Sequence, residues 1–184
     1  DSFSNLNNFV RQVSNAGTER FTIHARKAFL KGLNPKENRN IPPLRYDIVK
    51  RLKDENPSLI IEINGGFTHI QQCIENLKIF DGIMIGRSAY KYPLRWNEID
   101  NKIYGEHSIP VKASEIIFSL IPYIEKHLQK KNNSWDICKH LINIVESIPN
   151  AKKWRNKISL LSIKGSLSIE MLLTLTNELK SMGY

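Results

Sequence analysis

The sequence predicts an α/β fold, a small parallel sheet crossed by helices, with an all-helical segment after it. Three observations predict it. Three short β-branched runs alternate with amphipathic helical patterns in the first part of the chain, and strands so arranged pair in parallel through right-handed crossovers. Those runs are almost wholly apolar, apart from Glu62, as expected of strands covered on both faces. From about residue 109 onward no strand pattern survives, and apolar residues recur at helical spacing.

Leu6, Phe9, Val10 and Val13 place a helix over 3–16. The strand RFTIH follows at 20–24, then a long loop, then the helix LRYDIVKRLKDEN at 44–56. LIIEI at 59–63 is the second strand, a helix covers 68–78, and GIMIG at 82–86 is the third strand, with a short helical piece after Gly86. Farther on, Ile116, Ile117, Leu120, Ile121, Ile124 and Leu128 share one helix face, with Pro122 as a kink. SWDICKHLINIVESI follows with Ser134 as its N-cap, and SIEMLLTLTNELKSMG stops at Gly183. Composition and period both change between Glu106 and Pro110, so two domains are expected, 1–105 and 106–184. Three strands with two bare edges do not satisfy themselves as a sheet. A complementary half is therefore expected, in this or another chain, and the opening DSFSNL, without an initiator Met, reads as the middle of a longer fold.

At 184 residues and 41% hydrophobic content the composition is that of an ordinary globular chain, and disorder is not its default reading. A formal charge of +9 and a pI near 9.6 point to a polyanion, nucleic acid or an anionic membrane surface, with a merely solvated basic surface as the plain alternative. No apolar run approaches the roughly 18 residues that span a bilayer, and the first segment lacks the basic start and apolar centre of a signal peptide; a cytoplasmic location is expected. Cys73 and Cys138 lie inside apolar helical patterns and read as reduced core thiols.

In parallel α/β folds ligands bind beyond the carboxyl ends of the strands. Here those ends carry His24-Ala25-Arg26, Asn64-Gly65-Gly66 and Gly86-Arg87. Adjacent glycines let a backbone approach a ligand, and the amides that follow can hold a phosphate. Arg87 adds a guanidinium able to grip phosphate in bidentate fashion. The alternative for Gly65-Gly66 is an ordinary tight turn. A neutral His24 could donate to a ring carbonyl or nitrogen of a cofactor. No metal is expected, since neither His69 with Cys73 nor Cys138 with His140 has completing ligands.

The loop after His24 is long for its place and therefore functional in character. From Arg20 through Arg45 the chain carries seven basic residues, Arg26, Lys36 and Arg39 among them, against the single acid Glu37. Phe29 and Leu30 within it anchor the loop or stack on a base. A second basic group, Lys152, Lys153, Arg155 and Lys157, surrounds Trp154 in PNAKKWRNK. Two such surfaces suit a folded RNA held through its phosphates and shape; for the second, a solvated helix end is the alternative.

HARKAFLKGLNPKENRNIPPLRYDIVKRLK, IEINGG, DGIMIGRSAYKYP and PNAKKWRNK resemble the C-terminal portion of the tRNA-dihydrouridine synthases of the bacterial A subfamily. The resemblance covers nearly the whole chain and is strongest from 21 to 96. It implies the C-terminal part of a flavin-binding (β/α)8 TIM barrel and a helical tRNA-binding domain, with FMN as cofactor and NADPH as reductant of uridine in the tRNA D-loop. By the same resemblance His24 would contact the flavin ring system. Asn64, Gly65, Gly66, Gly86 and Arg87 would hold its phosphate and ribityl region, and Lys36 and Arg39 would contact tRNA. The family's general-acid cysteine, from the N-terminal half of the barrel, has no counterpart here, because Cys73 and Cys138 occupy other places. Catalysis by these residues alone is therefore not expected. A non-catalytic tRNA-binding module is the competing reading, and another phosphate-binding barrel enzyme a third.

Overall fold

The computed structural model describes residues 3–145, 148–149 and 151–184, and the chain divides into two compact units, Asp1–Gly86 and Arg87–Tyr184. The first unit runs α1 (Phe3–Asn15), β1 (Arg20–His24), α2 (Pro35–Asn38), α3 (Tyr46–Glu55), β2 (Ile60–Asn64), α4 (Ile70–Asn76) and β3 (Gly82–Met84). The three strands form one parallel sheet in the order β1-β2-β3, with Thr22 opposite Glu62, His24 opposite Asn64, and Asn64 opposite Met84. The α/β class and the alternation expected from the sequence are present. β3 is two residues shorter than expected, so Gly86 lies beyond the ladder.

Period-two alternation sorts the strands into two faces. Phe21, Ile61 and Ile63 are buried, with Val10, Val49, Leu52 and Cys73 also in the core; each large apolar side chain so buried contributes about 1.5–3 kcal/mol. The other face bears Arg20, Thr22, His24, Glu62 and Asn64. There Arg20 Nε lies 3.1 Å from Glu62 Oε1 and Thr22 Oγ1 donates to Glu62 Oε2 at 2.6 Å. On α1, Phe9 is exposed although the periodicity put it on the apolar face. Asn7 is buried instead, its amide pairing with Asn56 and Glu55. Buried polar groups are tolerated where they are bonded in this way.

The second unit contains α5 (Arg87–Lys91), a 3-10 turn at Pro93–Trp96, α6 (Ile99–Lys102), α7 (Ala113–Gln129), α8 (Trp135–Ile144), α9 (Ala151–Ile163) and α10 (Ile169–Ser181). Ile117, Ile124, Cys138, Leu141, Trp154, Ile158, Leu172 and Leu179 build its core. α7 continues through Pro122 as one helix. Ser134 stands at the start of α8 but does not cap it; Asn133 Oδ1 accepts the Trp135 amide at 2.9 Å, and the Ser134 hydroxyl points to Ser162 O. Gly183 follows α10 with φ of +90°, the left-handed stop expected of it. Residues 87–105, placed with the sheet by the sequence reading, fall in this unit, where α5 and the 3-10 turn pack on α8 and Tyr90 Oη meets His140 Nδ1 at 2.9 Å. Among the described residues no helix is long and apolar enough to cross a membrane.

Candidate functional site

The register of the sheet sets His24 and Asn64 side by side at the carboxyl ends of β1 and β2. His24 Nδ1 lies 2.6 Å from Asn64 Oδ1, and Asn64 Nδ2 donates to Met84 O at 2.7 Å. One side-chain chain of contacts thus joins all three strand ends. Immediately after it, Gly65 and Gly66 have φ of +122° and +80°, a conformation that favours glycine. A Cβ on Gly66 would stand 2.5 Å from Leu44 Cδ1, and one on Gly65 would stand 2.9 Å from Leu44 Cδ2.

The sequence reading missed the residues that hold this turn. Tyr46, at the start of α3, donates its hydroxyl to Gly65 O and stacks on Phe67 with ring centroids 5.6 Å apart. Burial pushes the Tyr46 phenol above its ordinary value, which keeps it protonated and a donor. No local signal marks Leu44 or Tyr46, because their role depends on a strand some twenty residues later.

The Gly-Gly turn is therefore a tight, packed turn. Around Gly86 a Cβ would meet nothing within 4 Å, and two residues on, the buried Ser88 hydroxyl has no partner among the described residues. An open backbone at the carboxyl end of a strand leaves room for a ligand group to approach. Arg87 is the first residue of the second unit and opens α5.

A cavity of about 400 Å³ opens beside the end of β1, with His24, Arg26, Lys27 and Arg45 in its wall together with Phe3 and Leu6. The long loop is an ordered structure. Asn34 caps α2 through the amides of Lys36 and Glu37, Glu37 returns a bond to the Asn34 amide, and Asn38 bonds both N and O of Phe29. The signal was in the sequence, since Asn34-Pro35-Lys36-Glu37 is a capping box with proline at its first helical position. Arg26 is half-buried and gives Nη1 to Asn40 O and Pro42 O, so it braces the loop. Lys36 and Arg39 are exposed on it, and Leu30 at its tip is 98% exposed.

In the second basic group Trp154 is a core residue whose Nε1 donates to Leu175 O at 2.8 Å, which leaves Lys152 and Lys153 exposed and Arg155 half-exposed on α9. Asn150 of that motif lies outside the described residues. Cys73 and Cys138 are free and buried, and burial pushes both thiols up.

A three-stranded parallel sheet with a polar, glycine-bearing carboxyl end and a basic loop after its first strand defines an α/β protein. The sequence model of the dihydrouridine synthase family matches residues 1–180, and the chain belongs to that family. It is similar to the tRNA-dihydrouridine(20/20a) synthase of Synechocystis sp., 42% identical over 183 residues that make up 100% of this chain and 55% of that protein. The proteins of the same name from Pseudomonas aeruginosa and Shewanella oneidensis are each 40% identical, over 86% and 93% of this chain and 48% and 51% of theirs. The chain spans about half the length of the curated relatives it matches.

Proposed function

We propose that these residues form the flavin-holding strand ends and the RNA-binding helices of an enzyme that reduces uridine to 5,6-dihydrouridine in tRNA. The observation that carries it is the line of His24, Asn64, Gly65 and Gly66 across adjacent parallel strand ends, in a chain of the dihydrouridine synthase family. In this reading β1 to β3 belong to a (β/α)8 barrel whose interior face is the one bearing Thr22, Glu62 and Asn64. Further strands complete it. The sheet-bearing residues 1–86 are its barrel part and the helical residues 106–184 its tRNA-binding part, acting in the cytoplasm. The relatives' names specify positions 20 and 20a, and we take these as the target uridines.

The residues present fit FMN. In this reading the backbone at Gly65 and Gly66, the open backbone at Gly86 and the guanidinium of Arg87 receive its phosphate, and His24 stands toward the rest of it. When bound, FMN supplies the hydride chemistry, with NADPH as reductant. The chain's own residues bind and orient it and grip the RNA through Lys36, Arg39, Lys153 and Arg155; Arg26 contributes by bracing the loop that presents the first two. Neither Cys73 nor Cys138 serves as proton donor in this reading, because both thiols are buried away from any substrate. The general acid comes from sequence outside these residues.

An FMN titration of the full chain followed by flavin fluorescence tests the assignment. Saturable binding that Arg87→Ala abolishes is expected. A folded chain that binds no FMN yet binds tRNA would replace this reading with that of an RNA-binding module.

A further inference from the structure

The Asn64 amide has its direction dictated by its neighbours. A backbone carbonyl only accepts hydrogen bonds, so the group 2.7 Å from Met84 O is the amide nitrogen. The amide oxygen is thereby turned to His24, 2.6 Å from Nδ1. That oxygen also only accepts, so the hydrogen between them belongs to the imidazole. The ring is held on a second side as well: a Cβ on Gly65 would lie 3.3 Å from His24 Cε1 and 3.4 Å from Nδ1, so the Gly65 backbone packs on the ring edge that carries the bonded nitrogen.

We infer that Asn64 is a positioning residue that locks His24 in its Nδ1–H tautomer, so that Nε2 of the neutral ring faces a ligand as a hydrogen-bond acceptor. The tautomer of a histidine is set by the bond its other nitrogen makes, and here that bond is anchored through Asn64 to the last strand. The role expected of His24 from the sequence is reversed, since a neutral ring with Nδ1–H already committed has no second hydrogen to donate. A ligand group seated on Nε2 must bring an N–H or O–H. A carbonyl or phosphate oxygen would seat there only against the imidazolium. If the ligand is FMN, a step that rests on the reading above, the groups that qualify are its ribityl hydroxyls and its ring N–H. Both ends of the Asn64 amide are engaged in the relay, so its side chain orients His24 and the phosphate falls to the backbone that follows.

The test is a long-range proton–nitrogen correlation spectrum of the imidazole rings of the nitrogen-15-labelled full chain. It is recorded without flavin at about pH 8.5, two units above the ordinary imidazole value of about 6.5, with His24→Gln identifying the His24 signals. The expected result is a protonated-type Nδ1 and a lone-pair-type Nε2. In Asn64→Leu the two nitrogens should exchange classes or average. An Nε2–H ring or a free-histidine mixture in the wild-type chain overturns the inference, and so does an unchanged spectrum in Asn64→Leu. Should Asn64→Leu fail to fold, the wild-type pattern decides. Because no flavin is present, this result stands apart from the FMN titration, and either can fail alone.

Discussion

Leu44 decides what can stand at residue 66. A methyl group there would meet Leu44 Cδ1 at 2.5 Å and Tyr46 Oη at 3.2 Å, on a backbone with φ of +80°. Gly66→Ala is expected to destabilise the chain by about 1–3 kcal/mol, the usual range for a strained left-handed residue, read as a lowered urea midpoint. Gly86 differs in both respects, with no positive φ and nothing within 4 Å of its Cβ position. Gly86→Ala is expected to leave stability within about 0.5 kcal/mol and, in the proposed flavin site, to weaken FMN binding, because the methyl group would take up space given there to the phosphate. A Gly86→Ala chain with native flavin affinity would remove that residue from the site. Both glycines end strands in the sequence, and nothing near either one in the chain separates the packed turn from the open one. Leu44, more than twenty residues away, does.

Between elements, Asp81 is the clasp that fixes α3 to the sheet. Its Oδ2 accepts from the Ile61 amide at 2.7 Å and from Lys53 Nζ at 2.6 Å, and Lys53 also donates to Leu59 O. Burial alone would raise the Asp81 carboxyl, but the bonds from Lys53 and Ile61 outweigh it and hold the group below the usual carboxylate range. A depressed folded-state pKa gives stability that is present above the unfolded value of about 3.9 and lost as pH falls through the lower folded value. Asp81→Asn should therefore flatten the acid limb of the stability profile below about pH 4, and an unaltered limb in that variant would show that the clasp carries no pH-linked stability. The elements themselves were largely readable from periodicity, because burial on one face leaves a pattern in the residues. The exceptions have local causes. Ser134 has the right type for a cap, but Asn133 reaches the orphan amide first. The helix Pro35–Asn38 is too short for periodicity to show, although its capping box is written out in full.

For the whole molecule, the +9 charge is carried in part by two clusters on separate compact units, the loop of Lys36 and Arg39 and the α9 surface of Lys153 and Arg155. If each contacts RNA phosphates, tRNA affinity should fall linearly with the logarithm of salt concentration. Lys36→Ala, Arg39→Ala and Lys153→Ala should each reduce that slope by about one. A variant with the parent slope identifies a residue that is only solvated. The fold itself is unaffected by these changes, since none of the three is buried.

The sequence by itself determined the order of the elements, the parallel strands, the all-helical second part, the basic loop and the family, all of which depend on residue type and spacing along the chain. Only the tertiary structure decided that Arg26 braces its own loop, that residues 87–105 pack with the helices, and that His24 is tied through Asn64 to Met84. The physical reason is that hydrogen-bond direction and packing belong to neighbours in space. His24, Asn64 and Met84 are twenty or more residues apart in the chain and meet only because three strands pair in one register.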